Sequence, residues 1–400
     1  MKKIMLLGGN YFQMTATKAA KRLGHHVISV DYLPENPAHK YADEYYNIST
    51  IDKEAVLKLA QKLQINGIVS YGSDVSAATA AYVAEKMNLP TNPYDTVFTM
   101  TRKDLFRKAL KKNGIRVPQI ADIQTYAEAK DFFVSIGKPV MIKPLTGSGT
   151  KGVSKVSSEA ELEQAFAEAK KYSVDGNLMM EEFVQRKGYQ VAGDAFVVNG
   201  KITVFAIANE HFDKLCNPLV PIGESFPACL NETVKDKARN EIEKALQALG
   251  IKQGAINLDF MIDENNEVFI IELGPRNGGN LITDAILLNN GVDLGEATIK
   301  AALGEDMSYL KERPMEKFVS SYIPHAIEDG IYEEILISDK IRDKIRLQEI
   351  FIKPGDPVHS FQNSNFGIGA MLIEFDSKEE MLYALDNMEE FIKVKVKSGI

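Results

Sequence analysis

Residues 1–71 alternate between strand patterns and helix patterns, and this alternation leaves few folds open. Apolar strand patterns cover Lys3–Leu7, His26–Val30 and Ile68–Tyr71, and each gap between them carries an amphipathic helix pattern. Strand–helix–strand units of this kind form parallel sheets with right-handed crossovers. The sequence therefore predicts a Rossmann-like parallel-sheet domain at the N-terminus, over residues 1–95.

Composition excludes several classes of protein. The 400 residues are 45% hydrophobic and 26% charged, with a net charge of −8 and an isoelectric point near 5.5. This acidic balance argues against a nucleic-acid surface as the main function. Cys216 and Cys229 are too few for a disulfide framework or a four-cysteine zinc site. Since there is no signal-peptide pattern and no apolar run near about eighteen residues, we expect a cytoplasmic protein without a membrane partner.

A glycine-rich segment, Gly147-x-Gly149-x-x-Gly152, has the spacing of the dinucleotide fingerprint G-x-G-x-x-G. That fingerprint requires a helix directly after the glycines. Here a strand pattern precedes the loop, and the alternation at residues 153–156 predicts a second strand. No Lys-Ser/Thr pair follows Gly152, so the loop is not a P-loop. A glycine flap between two strands can still lay backbone N–H groups over phosphate oxygens, and an ordinary glycine-rich turn is the alternative.

Two acidic residues are predicted to oppose each other nearer the C-terminus. A short loop would pair Ile262 with Phe269 and Asp259 with Glu272 across a β-hairpin. Opposed carboxylates repel unless one is protonated or a cation bridges them, and magnesium suits such a pair together with phosphate oxygens. Arg276 follows, and a guanidinium beside a metal is common in phosphoryl chemistry. Two incidental acids at a solvated strand end are the alternative.

Four motifs in this order resemble those of the ATP-grasp superfamily. They are Lys103 in TRKDLFRKALKKNGIRVP, Lys143 in VMIKPLTGSGTKG, the stretch MMEEFV, and NLDFMI with IIELGPRNGG. The resemblance is to its carboxylate–amine ligases, which include biotin carboxylase, carbamoyl-phosphate synthetase, purine-pathway ligases and L-amino acid ligases. It implies a mixed α/β and α+β protein with a pre-ATP-grasp domain at the N-terminus. An ATP-grasp domain would follow at residues 96–310, with a small mobile lid at about 118–184 and an α+β region at 311–400.

The resemblance also implies a role for each candidate residue. Lys103 and Lys143 would contact the α- and β-phosphates of ATP, and Arg276 would act with Lys143 in catalysis by steadying the transferred phosphoryl group. Asp259 and Glu272 would bind Mg²⁺ or Mn²⁺. The other implied ATP contacts are the flap, the hinge strand that reads adenine, and a ribose contact: Thr146, Gly147, Ser148, Gly149, Gly152, Glu181, Glu182, Phe183, Val184 and Gln190.

Two positions depart from the family pattern. Gln190 stands where an acid usually contacts the ribose, and Gly274 stands where an asparagine usually helps to hold a metal. Asn277 or Asn280 is the candidate substitute for that ligand. These departures keep open a second hypothesis, a nucleotide-binding regulatory protein or a member with altered catalysis.

The leading hypothesis is an ATP-dependent ligase that activates a carboxylate as an acyl phosphate and joins it to an amine, releasing ADP and phosphate. A NAD-dependent dehydrogenase is a third hypothesis, and the lack of later glycines after Gly8-Gly9 weighs against it. Asp74 lies at a strand end where helix capping and ligand contact both stay open. The expected partners are a small carboxylate and an amine, without nucleic acid, and the assembly is left open between a monomer and a homodimer.

Overall fold

A computed structural model describes residues 1–145 and 151–397 of the chain. Its N-terminal part alternates strands and helices as the sequence predicts: β1 (Lys3–Leu7), α1 (Met14–Arg22), β2 (His26–Asp31), β3 (Glu44–Asn47), α2 (Lys53–Leu63), β4 (Gly67–Ser70) and α3 (Asp74–Lys86). The four strands form one parallel sheet in the order β3–β2–β1–β4. Strand β3 was missed from the sequence pattern because none of its residues is fully buried.

Alternate residues of β1 explain why helices cover both faces of this sheet. Ile4 and Leu6 pack against α1, whereas Met5 and Leu7 pack against α2 and α3. All four side chains are buried. A parallel sheet covered in this way presents the carboxyl ends of its strands at one edge, where ligands bind in open α/β sheets.

Two helices, α4 (Tyr94–Met100) and α5 (Lys103–Lys112), lead to a second sheet, here called the lid. The lid contains β5 (Ile120–Ile123), α6 (Tyr126–Ile136), β6 (Val140–Pro144), β7 (Ser154–Val156), α7 (Glu159–Tyr172) and β8 (Leu178–Glu182). Its strands are antiparallel in the order β5–β8–β6–β7. Since β6 and β7 are paired, the glycine-rich segment joins two strands, as predicted, and does not lead directly into a helix as a dinucleotide fingerprint requires.

The central sheet begins with a hairpin and continues through two helical connections. Its first elements are β9 (Gln190–Val198), β10 (Lys201–Phe212), β11 (Pro221–Phe226), α8 (Glu232–Leu249), β12 (Gly254–Ile262), β13 (Val268–Gly274), α9 (Ile282–Asn290) and α10 (Leu294–Ala302). Asn199 and Gly200 form the turn between β9 and β10 with φ of 52° and 74°, the left-handed conformations that favour Asn-Gly in such turns. Helix α8 packs on one face of the sheet, and α9 with α10 pack on the other.

The C-terminal residues extend the same sheet. They form β14 (Phe318–Tyr322), β15 (Gly330–Ile337), α11 (Asp339–Arg342), β16 (Ile345–Ile350), β17 (Pro357–Val358), β18 (Gly369–Phe375), α12 (Lys378–Asp386) and β19 (Ile392–Lys397). The complete central sheet has eight strands in the order β13–β12–β9–β10–β11–β14–β18–β16, and β15, β17 and β19 form a separate small sheet. The predicted boundary at 310–311 therefore falls between strands of one sheet, and the division into three domains stays a prediction.

The β12–β13 hairpin confirms one predicted pair and corrects another. Asp259 pairs with Glu272, as predicted. Ile262 pairs with Val268 instead of the predicted Phe269, because the closing loop is shorter than the pattern suggested. A β-bulge next to Asp259 places one extra residue in the second strand and restores the predicted opposition of the two acids.

Candidate active site

A cleft of about 1960 Å³ is lined by residues from the N-terminal sheet, the lid, the central sheet and the C-terminal part. Most of the predicted site residues line it: Lys103, Lys143, Glu181, Glu182, Phe183, Val184, Gln190, Asp259, Glu272 and Arg276. Gly152 and Asn277 are described but are not among the lining residues. The flap residues Thr146, Gly147, Ser148 and Gly149 lie outside the described residues.

Glu181 joins two cations at the lid end of the cleft. Its carboxylate accepts hydrogen bonds from Lys143 Nζ and, at 3.2 Å, from Arg107 Nε, and all three side chains are buried. Burial alone would raise the pKa of Glu181, but the charges of Lys143 and Arg107 outweigh it and lower this pKa to about 2. The carboxylate therefore stays ionised and holds the Lys143 ammonium at the cleft wall.

Helix α5 supplies two of the cations at this end of the cleft. Lys103 and Arg107 are four residues apart, so they lie on the same face of the helix. Burial and the positive charges of Arg107 and Lys103 lower the pKa of Lys143. The three cations are therefore close enough to repel one another. We call Lys103, Arg107 and Lys143 the basic cluster. Its charge exceeds that of Glu181 and suits a polyphosphate. Sequence reasoning missed Arg107, and its spacing from Lys103 was the available signal.

The hinge residues follow β8 into the cleft. The backbone N–H groups of Glu182 and Phe183 donate to the carbonyls of Gln119 and Pro139, both at 2.9 Å. These bonds fix the path of the chain as it leaves the lid. Apolar side chains around this point can cover a flat base: Met141, Phe183, Val184, Met261 and Ile271. The predicted adenine contacts of the hinge stay a prediction.

Asp259 and Glu272, here called the acid pair, face each other on β12 and β13 at the floor of the cleft. Burial and the Glu272 carboxylate raise the pKa of Asp259 to about 7. Gln190 Nε2 donates to Asp259 Oδ1 at 2.7 Å and to Glu210 Oε2 at 2.8 Å. The residue predicted to contact the ribose thus lies between two acids, and its ribose contact stays a prediction.

The acid pair fits a magnesium ion that takes its other ligands from phosphates and water. Hard carboxylate oxygens are the protein ligands Mg²⁺ prefers, and one or two of them suffice in nucleotide sites. Among the described side chains, no group of three or more His, Cys, Asp or Glu is arranged to hold a metal. Asn277 lies elsewhere, since its Oδ1 accepts from Thr298 Oγ1 at 2.6 Å. Its role as a metal ligand stays a prediction that this contact does not support, whereas Asn280 lines the cleft.

Arg276 binds a carboxylate of the N-terminal domain. Its Nε donates to Asp74 Oδ1 at 2.9 Å, and its Nη2 donates to Asp74 Oδ2. Asp74 is the first residue of α3, and the N-cap of this helix is Ser73. Asp74 therefore lines the cleft and does not occupy the cap position. A Cβ at Gly274 would lie 2.8 Å from Asp74 Oδ1 and 3.2 Å from Arg276 Cζ. The glycine that replaces the expected asparagine therefore makes room for this ion pair.

Asp194 supports the loop that follows Arg276. It is fully buried and accepts from the Gly278 backbone N–H at 2.9 Å and from Asn257 Nδ2 at 3.0 Å, with Asn277 Nδ2 at 3.3 Å. Burial raises the pKa of Asp194 to about 6, although these hydrogen bonds act in the opposite direction. Sequence reasoning missed Asp194, and a single charge within the apolar run of β9 was the available signal.

Two further carboxylates, Glu210 and Glu224, oppose each other on β10 and β11 and line the cleft. Both are buried, and Glu224 Oε2 has no hydrogen-bond partner among the described residues. Burial raises the pKa of both groups well above the usual range, helped by the charge of Asp259 at Glu210 and by those of Asp194 and Asp259 at Glu224. Buried carboxylates of this kind suit a cationic group or a transferred proton.

Over half of the chain matches a known protein family. Residues 102–310, which contain the lid, the basic cluster and the acid pair, match the family described as carbamoyl-phosphate synthase L chain, ATP binding domain. The chain belongs to this family. It is therefore an ATP-grasp protein with an ATP-binding domain, as the motifs predicted, and an ATP-dependent carboxylate–amine ligase.

Relatives of this ATP-grasp protein span several named enzymes. It is 30% identical over 294 residues to a formate-dependent phosphoribosylglycinamide formyltransferase from Bacteroides thetaiotaomicron, over 69% of this chain and 71% of that one. It is 28% identical to a carbamoyl phosphate synthase large chain from Vibrio vulnificus, over 68% of this chain and 26% of that one.

The fold is shared with solved structures over nearly the whole length. An L-amino acid ligase from Bacillus licheniformis superposes with a TM-score of 0.83 at 21% identity, covering 100% of this chain and 99% of that one. A phosphoribosylglycinamide synthetase from Anaerococcus prevotii has a TM-score of 0.77 at 24% identity, with 99% and 100% covered. Both likenesses confirm the predicted ATP-grasp fold.

Proposed function

We propose that the cleft activates a small carboxylate as an acyl phosphate and joins it to an amine, with the predicted residues in the roles that follow. The observation that carries this proposal is the arrangement of opposite charges along one cleft. The basic cluster lies at the lid end, the acid pair lies on the floor, and Arg276 lies against the N-terminal domain. This order of charges matches the needs of a bound triphosphate and its metal.

Different residues would contact different parts of the triphosphate. The basic cluster would neutralise the α- and β-phosphates, and Glu181 would keep Lys143 oriented toward them. The acid pair would hold Mg²⁺, which when bound neutralises charge and orients the phosphates. Arg276 would face the transferred phosphoryl group, and Asp74 would fix the direction of its guanidinium.

The chemistry needs two bond exchanges and one proton acceptor. A carboxylate oxygen attacks the γ-phosphorus of ATP, and the bond to ADP breaks. The amine nitrogen then attacks the acyl carbon, and phosphate leaves. Glu224 is our candidate for the group that accepts the proton lost by the amine, because it lines the cleft and its Oε2 has no hydrogen-bond partner among the described residues. Water must be excluded while the acyl phosphate exists.

The names of the relatives give a range of substrates. One is named for formate and phosphoribosylglycinamide, and a structural neighbour is named for L-amino acids. For this chain we propose a small carboxylate and an amine of the same general kind.

An ADP-release assay tests the proposal directly. The protein is incubated with Mg²⁺–ATP and pairs drawn from small carboxylates, amino acids and amines, and ADP, phosphate and the amide product are measured together. We expect the three products in equal amounts for at least one pair. ATP binding by calorimetry without ADP formation for any pair would instead support a nucleotide-binding regulatory protein.

The cellular location and the assembly of the protein are separate proposals. Within the described ranges, 1–145 and 151–397, no helix is long and apolar enough to cross a membrane. We propose a cytoplasmic location from the composition, and a homodimer as one assembly to test. Light scattering on the purified chain decides between a monomer and a dimer.

A further inference from the structure

We propose that the cleft selects a substrate with an aromatic or comparably large apolar side chain. Tyr11, Phe12 and Phe351 form the contact surface, which we call the aromatic wall. This inference rests on the proposed function, since it assigns the substrate class of the same cleft.

The three rings of the aromatic wall lie together on the cleft surface. The ring centroids of Tyr11 and Phe351 are 4.4 Å apart, with an interplanar angle of 38°. Those of Phe12 and Phe351 are 6.4 Å apart and nearly perpendicular, at 89°. The Phe351 side chain nevertheless stays 39% exposed. A ring packed on its neighbours and still exposed in a concave site offers apolar area that a ligand can cover.

Hydrogen bonds fix the aromatic wall from both ends of the chain. Tyr11 and Phe12 lie between β1 and α1, whereas Phe351 directly follows β16. The Phe351 backbone N–H donates to the carbonyl of Ile368 at 2.9 Å. Burial and the Glu349 carboxylate, to which the Tyr11 phenol donates, raise the pKa of Tyr11, so the phenol keeps its proton. The wall is therefore formed before a ligand arrives.

The aromatic wall lies beside the ion pair of Arg276 and Asp74. A Cβ on Gly72 would lie 3.2 Å from Phe12 Cβ, and one on Gly279 would lie 3.5 Å from the Phe12 ring. Gly72 is two residues before Asp74, and Gly279 is three residues after Arg276. A substrate whose carboxylate or amine reacts next to Arg276 thus has Phe12 close by as an apolar surface for its side chain.

Charges of both signs line this end of the cleft, so charge alone does not set the substrate class. The acids Asp31, Glu35, Asp74, Glu210, Glu224 and Glu349 lie there with the cations Lys40, Arg186, Arg276 and Lys353, and Arg276 pairs with Asp74. The inference therefore rests on the apolar area that the aromatic wall supplies.

Matched ligand pairs test the proposal on the intact protein saturated with Mg²⁺–ADP. The pairs are L-phenylalanine with L-serine, 3-phenylpropionate with propionate, and phenethylamine with ethylamine, measured by calorimetry. We expect the aromatic member of at least one pair to bind about tenfold more tightly or better, because its ring buries apolar area. Equal or weaker binding by the aromatic member in all three pairs would overturn the proposal. Tighter binding of O-phosphoserine than of L-phenylalanine would also overturn it.

A variant tests whether the aromatic wall causes the preference for aromatic ligands. Phe351→Ala should weaken the favoured aromatic ligand about tenfold and leave its small partner unchanged. Phe98→Ala is the matched control, because Phe98 is 37% exposed and does not line the cleft. Phe351→Leu, which keeps apolar volume, should bind at an intermediate level. Equal weakening of the aromatic ligand and its small partner by Phe351→Ala would contradict the assignment.

The outcomes separate this inference from the proposed function. Tight aromatic binding without any ADP release would refute the ligase activity and leave the substrate class standing. ADP release that occurs only with small polar substrates would refute the substrate class and leave the ligase activity standing.

Discussion

Arg276 and Asp74 form a two-point ion pair between the loop after β13 and the first turn of α3. Both side chains are mostly buried, at 13% and 17% exposure. The pair connects the residue proposed to face the phosphoryl group with the domain that supplies Tyr11 and Phe12. Any shift of that domain against the central sheet must therefore move or break a charged contact at the reaction centre.

Filling the space at Gly274 should disturb this ion pair. In Gly274→Ala the new methyl carbon would meet Asp74 Oδ1 at 2.8 Å, a distance at which an atom has to move. We expect the free energy of unfolding to fall by about 1–3 kcal/mol and turnover to fall with it. Urea unfolding and the ADP-release assay on one preparation measure both. The matched control is Gly279→Ala, whose nearest contact of 3.5 Å is ordinary, so its stability should change little.

Removing the ammonium of Lys143 should weaken ATP binding. Lys143→Ala removes a charge-assisted contact from a buried site, and Glu181 then keeps Arg107 as a partner. We expect the Kd for ATP to rise roughly tenfold or more. Calorimetry checks this, with Lys108→Ala as the control, since Lys108 is 52% exposed and pairs with Asp122. An unchanged Kd in Lys143→Ala and also in Lys103→Ala would contradict the assignment of the basic cluster.

Neutralising the acid pair should preserve thermal stability and abolish turnover. The double variant Asp259→Asn, Glu272→Gln removes the mutual repulsion of two opposed carboxylates and keeps their shape. Without Mg²⁺ it should unfold at a temperature equal to or above that of the parent, yet turnover should fall to background because no carboxylate holds the metal. Thermal melts beside the ADP-release assay decide it. Lower stability with retained turnover would mean that the pair is structural.

The pKa of Asp259 predicts how stability depends on pH. Its folded value of about 7 exceeds the ordinary 3.8, so between these pH values the folded state binds more protons than the unfolded state. Stability should therefore fall as the pH rises from about 4 to 7 and level off above that. The raised pKa values of Asp194, Glu210 and Glu224 change stability in the same direction. Comparing the parent with Asp259→Asn therefore isolates the contribution of Asp259.

Urea unfolding at pH 5 and pH 8 without Mg²⁺ makes this comparison. The loss between the two pH values should be about 2–3 kcal/mol smaller in Asp259→Asn than in the parent. Adding Mg²⁺–ATP should stabilise the parent more at pH 8 than at pH 5, since the metal binds the ionised pair. An identical pH dependence in the parent and the variant would show that Asp259 titrates normally.

Local periodicity explains what the sequence could predict. The strand alternation around Ile4 and Met5 and the two strands that flank the glycine-rich segment depend on residues close in the chain. Alternation specifies such features without knowledge of distant partners. The opposition of Asp259 and Glu272 was predicted from a longer loop, and it holds because a β-bulge offsets the difference. These are the parts of the fold and of the site that the structure confirms.

Long-range contacts explain what the sequence could not predict. Asp74 and Arg276 are separated by 202 positions, and Glu181 binds Arg107 across 74. No local pattern encodes which distant charge a buried residue will face. The pairing of Ile262 with Val268 is a smaller failure, because the closing loop is shorter than the pattern suggested. The β-bulge next to Asp259 that offsets this loop is not encoded in the hairpin pattern either.

The continuity of the eight-stranded sheet limits how this enzyme can be divided. Strand β11, which carries Glu224, has β14 as its outer neighbour, with Glu224 paired to Ser321. A chain cut after residue 310, where the family match ends, would leave β11 as a bare edge with its buried Phe226 uncovered. Exposed apolar edges recruit strands from other molecules. The smallest piece that can be inherited, expressed or exchanged as a working unit is therefore longer than the segment that defines the family.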